Sequence, residues 1–199
     1  MEARRYRAQG AGEHIGYAVG DTSPQAALGK ILVAATGRGV CAVLLGDDLT
    51  TLAAELTSRF PQAQLAYDPS LSPHLDVVLT HLHEHPSTAS LPLDLRGTAF
   101  QARVWAALRQ IPRGATCSYA SLATNIGAPR AVRAVARACV QNPAAIVVPC
   151  HRVVGSDGKL TGYRWGLDRK RALLNLESRR TPAAGPNQVI SKLDNEEYP

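Results

Sequence analysis

Residues 118–140 read Ser118-Tyr119-Ala120-Ser121-Leu122-Ala123-Thr124-Asn125-Ile126-Gly127-Ala128-Pro129-Arg130-Ala131-Val132-Arg133-Ala134-Val135-Ala136-Arg137-Ala138-Cys139-Val140. Ser118 has the side chain of a helix N-cap, and a short helix follows through Tyr119, Leu122 and Ile126. Gly127-Ala128-Pro129 is a tight turn. A further helix runs to about Val140. A short helix, a Gly-containing turn and a second helix form the pattern of a helix-turn-helix. On a wheel at about 100° per residue, Val132, Val135, Ala136 and Cys139 share one face and Arg130, Arg133 and Arg137 the opposite one. Arginine suits phosphate because its planar fork donates two parallel bonds. Ala131, Ala134 and Ala138 are small, so the backbone can approach a groove closely. The pattern predicts a helix that contacts nucleic acid; the competing reading is a solvated basic face.

Charge favours the first reading. Residues 96–180 carry fifteen Lys/Arg against three Asp/Glu, whereas residues 1–95 carry six against ten. A basic block beside an acidic one is a nucleic-acid signal for the basic block. The four cysteines (Cys41, Cys117, Cys139, Cys150) are widely spaced. That argues against a disulfide scaffold and against a four-cysteine zinc site. Free thiols predict a cytoplasmic location. No apolar run is long enough to span a bilayer, and no apolar run follows Arg4, Arg5 and Arg7 to make a secretory signal. His81, His83 and His85 invite a metal reading. Only two of them share a helix side, so a polar helix end is expected there and no metal.

Outward from the helix-turn-helix the chain divides into three expected parts. Residues 1–95 read as a small α/β domain. Its hairpin pairs Lys30–Thr36 with residues 40–45 around Thr36-Gly37-Arg38-Gly39. A helix carries Leu49, Leu52, Leu56 and Phe60. Another is capped at Ser72-Pro73, with Leu75, Val78, Leu79 and Leu82 inward. Leu91, Leu93 and Leu95 alternate as a short strand, and residues 1–29 give no clear pattern. Residues 96–178 read as mainly helical. Thr98-Ala99-Phe100-Gln101 has the form of a capping box before an apolar face of Phe100, Val104, Leu108 and Ile111. Residues 155–159 read as a hairpin turn, and residues 167–177 as a final helix. Residues 179–199 lack any period and read as a disordered tail.

The chemical signal is Ile146-Val147-Val148-Pro149-Cys150-His151-Arg152-Val153-Val154. Burying His and Arg in an apolar run costs free energy unless each finds partners. The stretch therefore suggests a thiolate nucleophile beside a base. Adjacent residues of a regular strand face opposite ways, so a turn at Pro149 or a bridging water is needed for Cys150 and His151 to communicate. Glu177 is a candidate orienter of His151. The competing reading of Cys150 is a small buried hydrophobe.

These residues carry a resemblance to the O6-alkylguanine-DNA alkyltransferases. It covers residues 96–177 and extends more loosely back to residue 30. Pro149-Cys150-His151-Arg152-Val153-Val154 resembles the family's active-site signature. Around it lie Ser118-Tyr119, Pro129-Arg130-Ala131-Val132-Arg133-Ala134-Val135, Asn142-Pro143, Gly162-Tyr163-Arg164-Trp165-Gly166 and Leu173-Leu174-Asn175-Leu176-Glu177. Within the family, Leu91-Pro92-Leu93-Asp94 before Arg96-Gly97-Thr98-Ala99-Phe100-Gln101, together with Gly162-Tyr163-Arg164-Trp165-Gly166, are most similar to the carboxy-terminal half of the bacterial adaptive-response (Ada) proteins. The four clustered cysteines of the zinc domain in that subgroup are missing, so its phosphotriester-sensing and activator role is not expected.

The resemblance implies an RNase H-like amino-terminal domain with a small antiparallel sheet and helices, followed by a winged helix-turn-helix domain. It implies a monomer that binds the minor groove of duplex DNA containing alkylated guanine, needs no cofactor and flips the damaged base. Cys150 would accept the alkyl group in a single turnover. His151 would be a water-mediated base, Glu177 its orienter and Asn142 the hinge. Tyr119 would contact the flipped base, and Arg133 would fill the vacated stack. Arg130, Arg137 and Ala134 would face DNA. The backbone of Cys150 and Val153 would read the exocyclic amine, with Tyr163, Arg164 and Trp165 lining the pocket. Trp165, where many relatives carry glycine, would narrow it. A lesion binder without transfer, a helix-turn-helix regulator and a cysteine hydrolase are the competing functions. The adjacent Cys-His order fits the hydrolase poorly.

Overall fold

The hairpin runs Lys30–Thr36 (β2) into Gly39–Gly46 (β3), with a bulge between Ala34 and Ala35. Every residue of β3 is buried. A strand covered on both faces reads as a continuous apolar run, as Val40 to Leu45 does here. We obtained these elements from a computed structural model of the chain, which describes residues 12–23, 26–83 and 91–178. The expected tail at 179–199 lies outside the described residues, as does His85.

Two strands had no clear signal in the sequence. β1 (His14–Asp21) runs antiparallel to β2, and β4 (Gln64–Tyr67) runs parallel to β1, giving the order β3-β2-β1-β4. The sheet is thus mixed rather than antiparallel. The expectation failed because β1 interrupts its apolar residues with Gly16 and Gly20, and β4 is a short edge strand. Helix α1 (Leu49–Arg59) buries Leu52 and Leu56 and is capped by Asp48, whose carboxylate accepts from Thr51 N at 2.8 Å. Helix α2 (Ser72–His83) does not start at a Ser72 cap. A 3-10 turn (Pro69–Leu71) leads into it, Asp68 caps that turn, and the Ser72 hydroxyl donates back to Pro69 O. Leu93 makes an isolated parallel bridge to Val40 in place of the expected strand.

The second half is helical as expected. Thr98 and Gln101 form the reciprocal capping box of α3 (Ala99–Leu108), a device worth about 1 kcal/mol. Trp105 is buried against α5 and donates its indole N–H to Ala138 O at 2.9 Å. Ser118 caps α4 (Tyr119–Asn125), and α5 (Val132–Val140) follows. Residues 155–159 make the expected turn, closed by Gly155 N donating to Lys159 O. They do not join a hairpin, because β6 (Val153–Val154) pairs in parallel with β5 (Cys117–Ser118). Helix α6 (Leu167–Ser178) ends the described chain.

Several contacts join the halves, and one of them holds the chemical segment. Val43 of β3 donates to Pro143 O at 3.0 Å, and Ala145 N donates to Val43 O at 2.9 Å. The sheet edge therefore grips the stretch between α5 and Cys150. Arg113 donates to the terminal carbonyls His81 O and Leu82 O of α2 at 2.6 and 2.9 Å, satisfying acceptors that a helix end leaves open. Buried Asp94 gathers Thr36, Arg38 and Arg96 at the crossing between the halves.

Candidate active site

Cys150-His151-Arg152 is a 3-10 turn, not a strand. Residues 145–148 already turn rather than extend, and Cys150 opens the 3-10 turn after Pro149, so cysteine and histidine both face the interior, 4% and 1% exposed. The same segment holds Ile146 at φ +70°. A β-branched residue there is a genuine outlier costing about 1–3 kcal/mol. It sits between Ala144 and Val148, whose backbones are bonded to each other.

Asn142 organises this segment. It follows Gln141, the C-cap of α5, and is fully buried. Its Nδ2 donates to Val148 O at 2.7 Å and to Cys150 Sγ at 3.1 Å, and its Oδ1 accepts from Ala144 N at 3.0 Å. A donor on sulfur favours the thiolate. Burial nevertheless dominates and pushes the Cys150 thiol up to about 11, against the pull of Asn142 and the Lys170 charge. At neutral pH Cys150 is therefore a thiol that needs a base.

His151 supplies one. Its Nε2 lies 3.0 Å from Glu177 Oε1. An ionised carboxylate only accepts, so Nε2 carries the proton. Nδ1 is then a bare lone pair, buried and without a partner. Burial, outweighing the attraction of Glu177, lowers the His151 pKa. The contact is accordingly a neutral imidazole bonded to a carboxylate rather than an ion pair. Burial would raise the Glu177 carboxyl, but His151 and Arg152 hold it far below the usual carboxylate range. Arg152 binds both Glu177 oxygens at 2.7–3.2 Å and also donates to Ile111 O. Gly114 N adds a further donor at 3.2 Å.

Tyr119, Tyr163 and Trp165 stand around the sulfur's surroundings without all closing on one point. Burial raises the Tyr119 hydroxyl, while a bond with Thr161 pulls it the other way. Its ring faces the Lys170 ammonium at 5.9 Å. Tyr163 and Trp165 pack edge to face, centroids 5.2 Å apart. The Tyr163 hydroxyl and Trp165 indole N–H are buried without a partner. Val153 is buried, and its carbonyl, expected to be free for a base, accepts from Lys170 Nζ at 2.6 Å. Arg164 does not line the pocket with its charge: its Nε donates to Glu55 Oε1 of α1 at 2.7 Å. A cleft of about 420 Å³ is lined by His151 and Glu177 but not by Cys150, Tyr119 or Trp165, so it is not where a substrate would meet the sulfur.

Lys170 and Arg152 carry much of this site, and the sequence reading assigned them nothing. Lys170 is fully buried and donates to Val153 O and Thr161 O. Spacing held the clue, since Lys170, Leu173 and Glu177 fall at i, i+3 and i+7 on the buried face of α6. Flanking Arg169 and Arg171 hid it among cations.

Helix α5 presents its expected outer face. Arg133, Ala134 and Arg137 are exposed on it, whereas Arg130, expected on the same face, is exposed in the turn before the helix starts; none of the three arginines pairs with a carboxylate among the described residues. Val135, Ala138 and Cys139 are buried. Ala138 thus belongs to the core and not to the groove-facing set. Of the three histidines, His81 bonds through Nδ1 to Val77 O at 2.8 Å, and no metal-holding cluster occurs among the described residues. No helix there is long and apolar enough to cross a membrane.

Comparison with known proteins places this geometry. A family profile described as "6-O-methylguanine DNA methyltransferase, DNA binding domain" matches residues 99–179. The bifunctional transcriptional activator/DNA repair enzyme Ada of Escherichia coli is 50% identical over 179 residues, covering 89% of this chain and 49% of Ada. The chain therefore spans about half the length of that relative. The inducible methylated-DNA–protein-cysteine methyltransferase of Bacillus subtilis is 45% identical over 61% of this chain and 68% of its own length. The crystal structure of Mycobacterium tuberculosis OGT in complex with DNA superposes with a TM-score of 0.68 at 40% identity, covering 85% of this chain and 96% of that one. With a buried cysteine, an adjacent glutamate-bound histidine and an arginine-faced helix in one chain, these matches show that the protein belongs to the methylated-DNA–protein-cysteine methyltransferase family.

Proposed function

We propose that the protein repairs alkylated DNA by transferring a methyl group from O6-methylguanine to Cys150 in a single turnover. The observation that carries the reading is the buried Cys150 sulfur, held by Asn142 and next to a histidine whose free nitrogen is its base. His151 Nδ1 takes the thiol proton through an intervening water. The sulfur attacks the alkyl carbon, an S–C bond forms, and the bond from carbon to O6 breaks. Guanine leaves with the electron pair and takes up a proton. Donors that stabilise that leaving anion lower the barrier, and Tyr119 would be one. The thioether has no internal route of reversal, so each molecule acts once.

The division of labour follows the chain. Residues 1–95 form an RNase H-like support, and residues 96–178 a winged helix-turn-helix that binds duplex DNA from the minor groove. Arg130 and Arg137 contact phosphates, Ala134 allows close approach, and Arg133 enters the stack as the base flips out. Filling the stack offsets part of the few kcal/mol that flipping costs. Asn142 couples α5 to the acceptor. Tyr163, Trp165 and the backbone of Cys150 frame the base. No cofactor takes part, and the protein works as a cytoplasmic monomer. Trp165 keeps the pocket narrow, so Trp165→Gly should speed reaction with O6-benzylguanine by about tenfold or more, the scale at which pocket volume discriminates. Stopped reactions with free benzylguanine test this, and an unchanged rate would remove Trp165 from the pocket. The function itself is tested by a Cys150→Ser variant, which should bind lesion DNA and accept no alkyl group.

A further inference from the structure

The segment carrying Tyr163 and Trp165 has no regular secondary structure, and it lies between two glycines of positive φ, Gly162 at +22° and Gly166 at +93°. Neither glycine has another group within 4 Å of where a Cβ would stand. Such ends are conformationally permissive. Something else must therefore fix where the segment sits.

On its inner side Lys170 holds Thr161 O. On its outer side it is tied to the amino-terminal half at two places. Arg164 Nε donates to Glu55 Oε1 at 2.7 Å, and Arg59 steadies the same oxygen at 3.0 Å from one turn further along α1. Glu55 is held from two sides with its side chain only 19% exposed, so the usual entropy cost of a surface pair is reduced. Arg169 makes a second clamp. One guanidinium reaches Leu28 O at 2.9 Å, Asp47 Oδ1 at 2.5 Å and Trp165 O at 3.1 Å. It thus ties the backbone of the tryptophan itself to the sheet domain.

We propose that Glu55 and Asp47 are positioning residues for substrate size. Through Arg164 and Arg169 they latch residues 162–166 closed, and this holds Trp165 over the pocket. The amino-terminal half thereby sets the largest alkyl group that the carboxy-terminal half accepts. The two buried, unpartnered donors in the segment, Tyr163 Oη and Trp165 Nε1, fit this picture. They leave the closed position short of two hydrogen bonds, a cost that the outer clamps help to offset. This inference rests on Cys150 being an alkyl acceptor.

The test compares wild type, Glu55→Gln, Glu55→Ala, Asp47→Ala and the Glu55→Ala/Asp47→Ala double variant. Each is reacted with free O6-benzylguanine, which needs no DNA contact, and with a duplex carrying O6-methylguanine. The latch predicts that the double variant gains about tenfold in the benzyl rate, as for other pocket-size changes, while its methyl rate is nearly unchanged. Glu55→Gln, which keeps a hydrogen bond, should fall between wild type and Glu55→Ala. Acrylamide quenching of Trp165, obtained by difference from Trp165→Phe, should rise in the same order. Equal changes in both rates, or a quenching profile that does not move, would overturn the latch. If wild type itself fails to take up methyl from the duplex, the alkyl-transfer reading fails first, and the quenching order still decides whether the clamps position Trp165.

Discussion

Cys150 is made a poor nucleophile by burial and a usable one by its neighbours. Its thiol is pushed up to about 11, and His151 is held below its ordinary 6.5, so at neutral pH thiol and free imidazole coexist. Alkyl transfer should be flat through neutral pH, fall as His151 protonates below 6.5, and rise again towards pH 11. His151→Gln should convert that plateau into a steady rise with pH. Single-turnover rates between pH 5 and 10 measure both. Asn142→Ala removes the donor on sulfur and leaves Val148 O and Ala144 N without their partner. A buried group left unsatisfied costs about 1–3 kcal/mol. The variant should melt lower and react more slowly, with its rate rise displaced to higher pH. A slower variant whose pH profile has not moved would restrict Asn142 to holding the backbone.

At the scale of elements, α5 and the turn that follows it separate DNA handling from chemistry. Arg130→Ala and Arg137→Ala should weaken duplex binding irrespective of sequence, each lowering the slope of log affinity on log salt by about one. Arg133→Ala should slow transfer from duplex DNA and leave the reaction with free O6-methylguanine unchanged, because only the duplex must be opened. Titrations across salt and the paired rates decide this, and equal losses on both substrates would place Arg133 in the pocket rather than in the stack. Elements with strong periodicity were readable in advance. The arginine face of α5, the Thr98–Gln101 capping box and the β2–β3 hairpin all follow from side-chain pattern alone. The mixed sheet was not, because Gly16 and Gly20 interrupt β1 and four residues of β4 give too short a period. The 3-10 turn at Cys150 was hidden by an apolar run that looks like a strand. Lys170 was legible only in its spacing with Leu173 and Glu177, while Arg152 and Glu55 act through contacts distant in sequence that no local pattern encodes.

For the molecule as a whole, the same buried groups set stability against pH. The folded Glu177 carboxyl lies below its ordinary 4.5, so its contribution is complete above that value and is lost as pH falls through the folded one. Folded His151 also lies below its ordinary value, so the unfolded chain takes up that proton first and stability falls as pH drops below 6.5. Melting should therefore weaken between pH 7 and 5.5, before carboxylates titrate. His151→Gln should flatten that stretch and keep the loss at lower pH. The whole account converges on one atom, the Cys150 sulfur. Intact-protein mass after mixing with duplex DNA bearing a single O6-methylguanine, followed by peptide mapping, tests it most directly. The expected result is a gain of one methylene per chain, on Cys150 alone, that stops when protein and lesion are equivalent. An unmodified Cys150 in protein that still binds the lesion more tightly than undamaged DNA, or turnover beyond one equivalent, would contradict it.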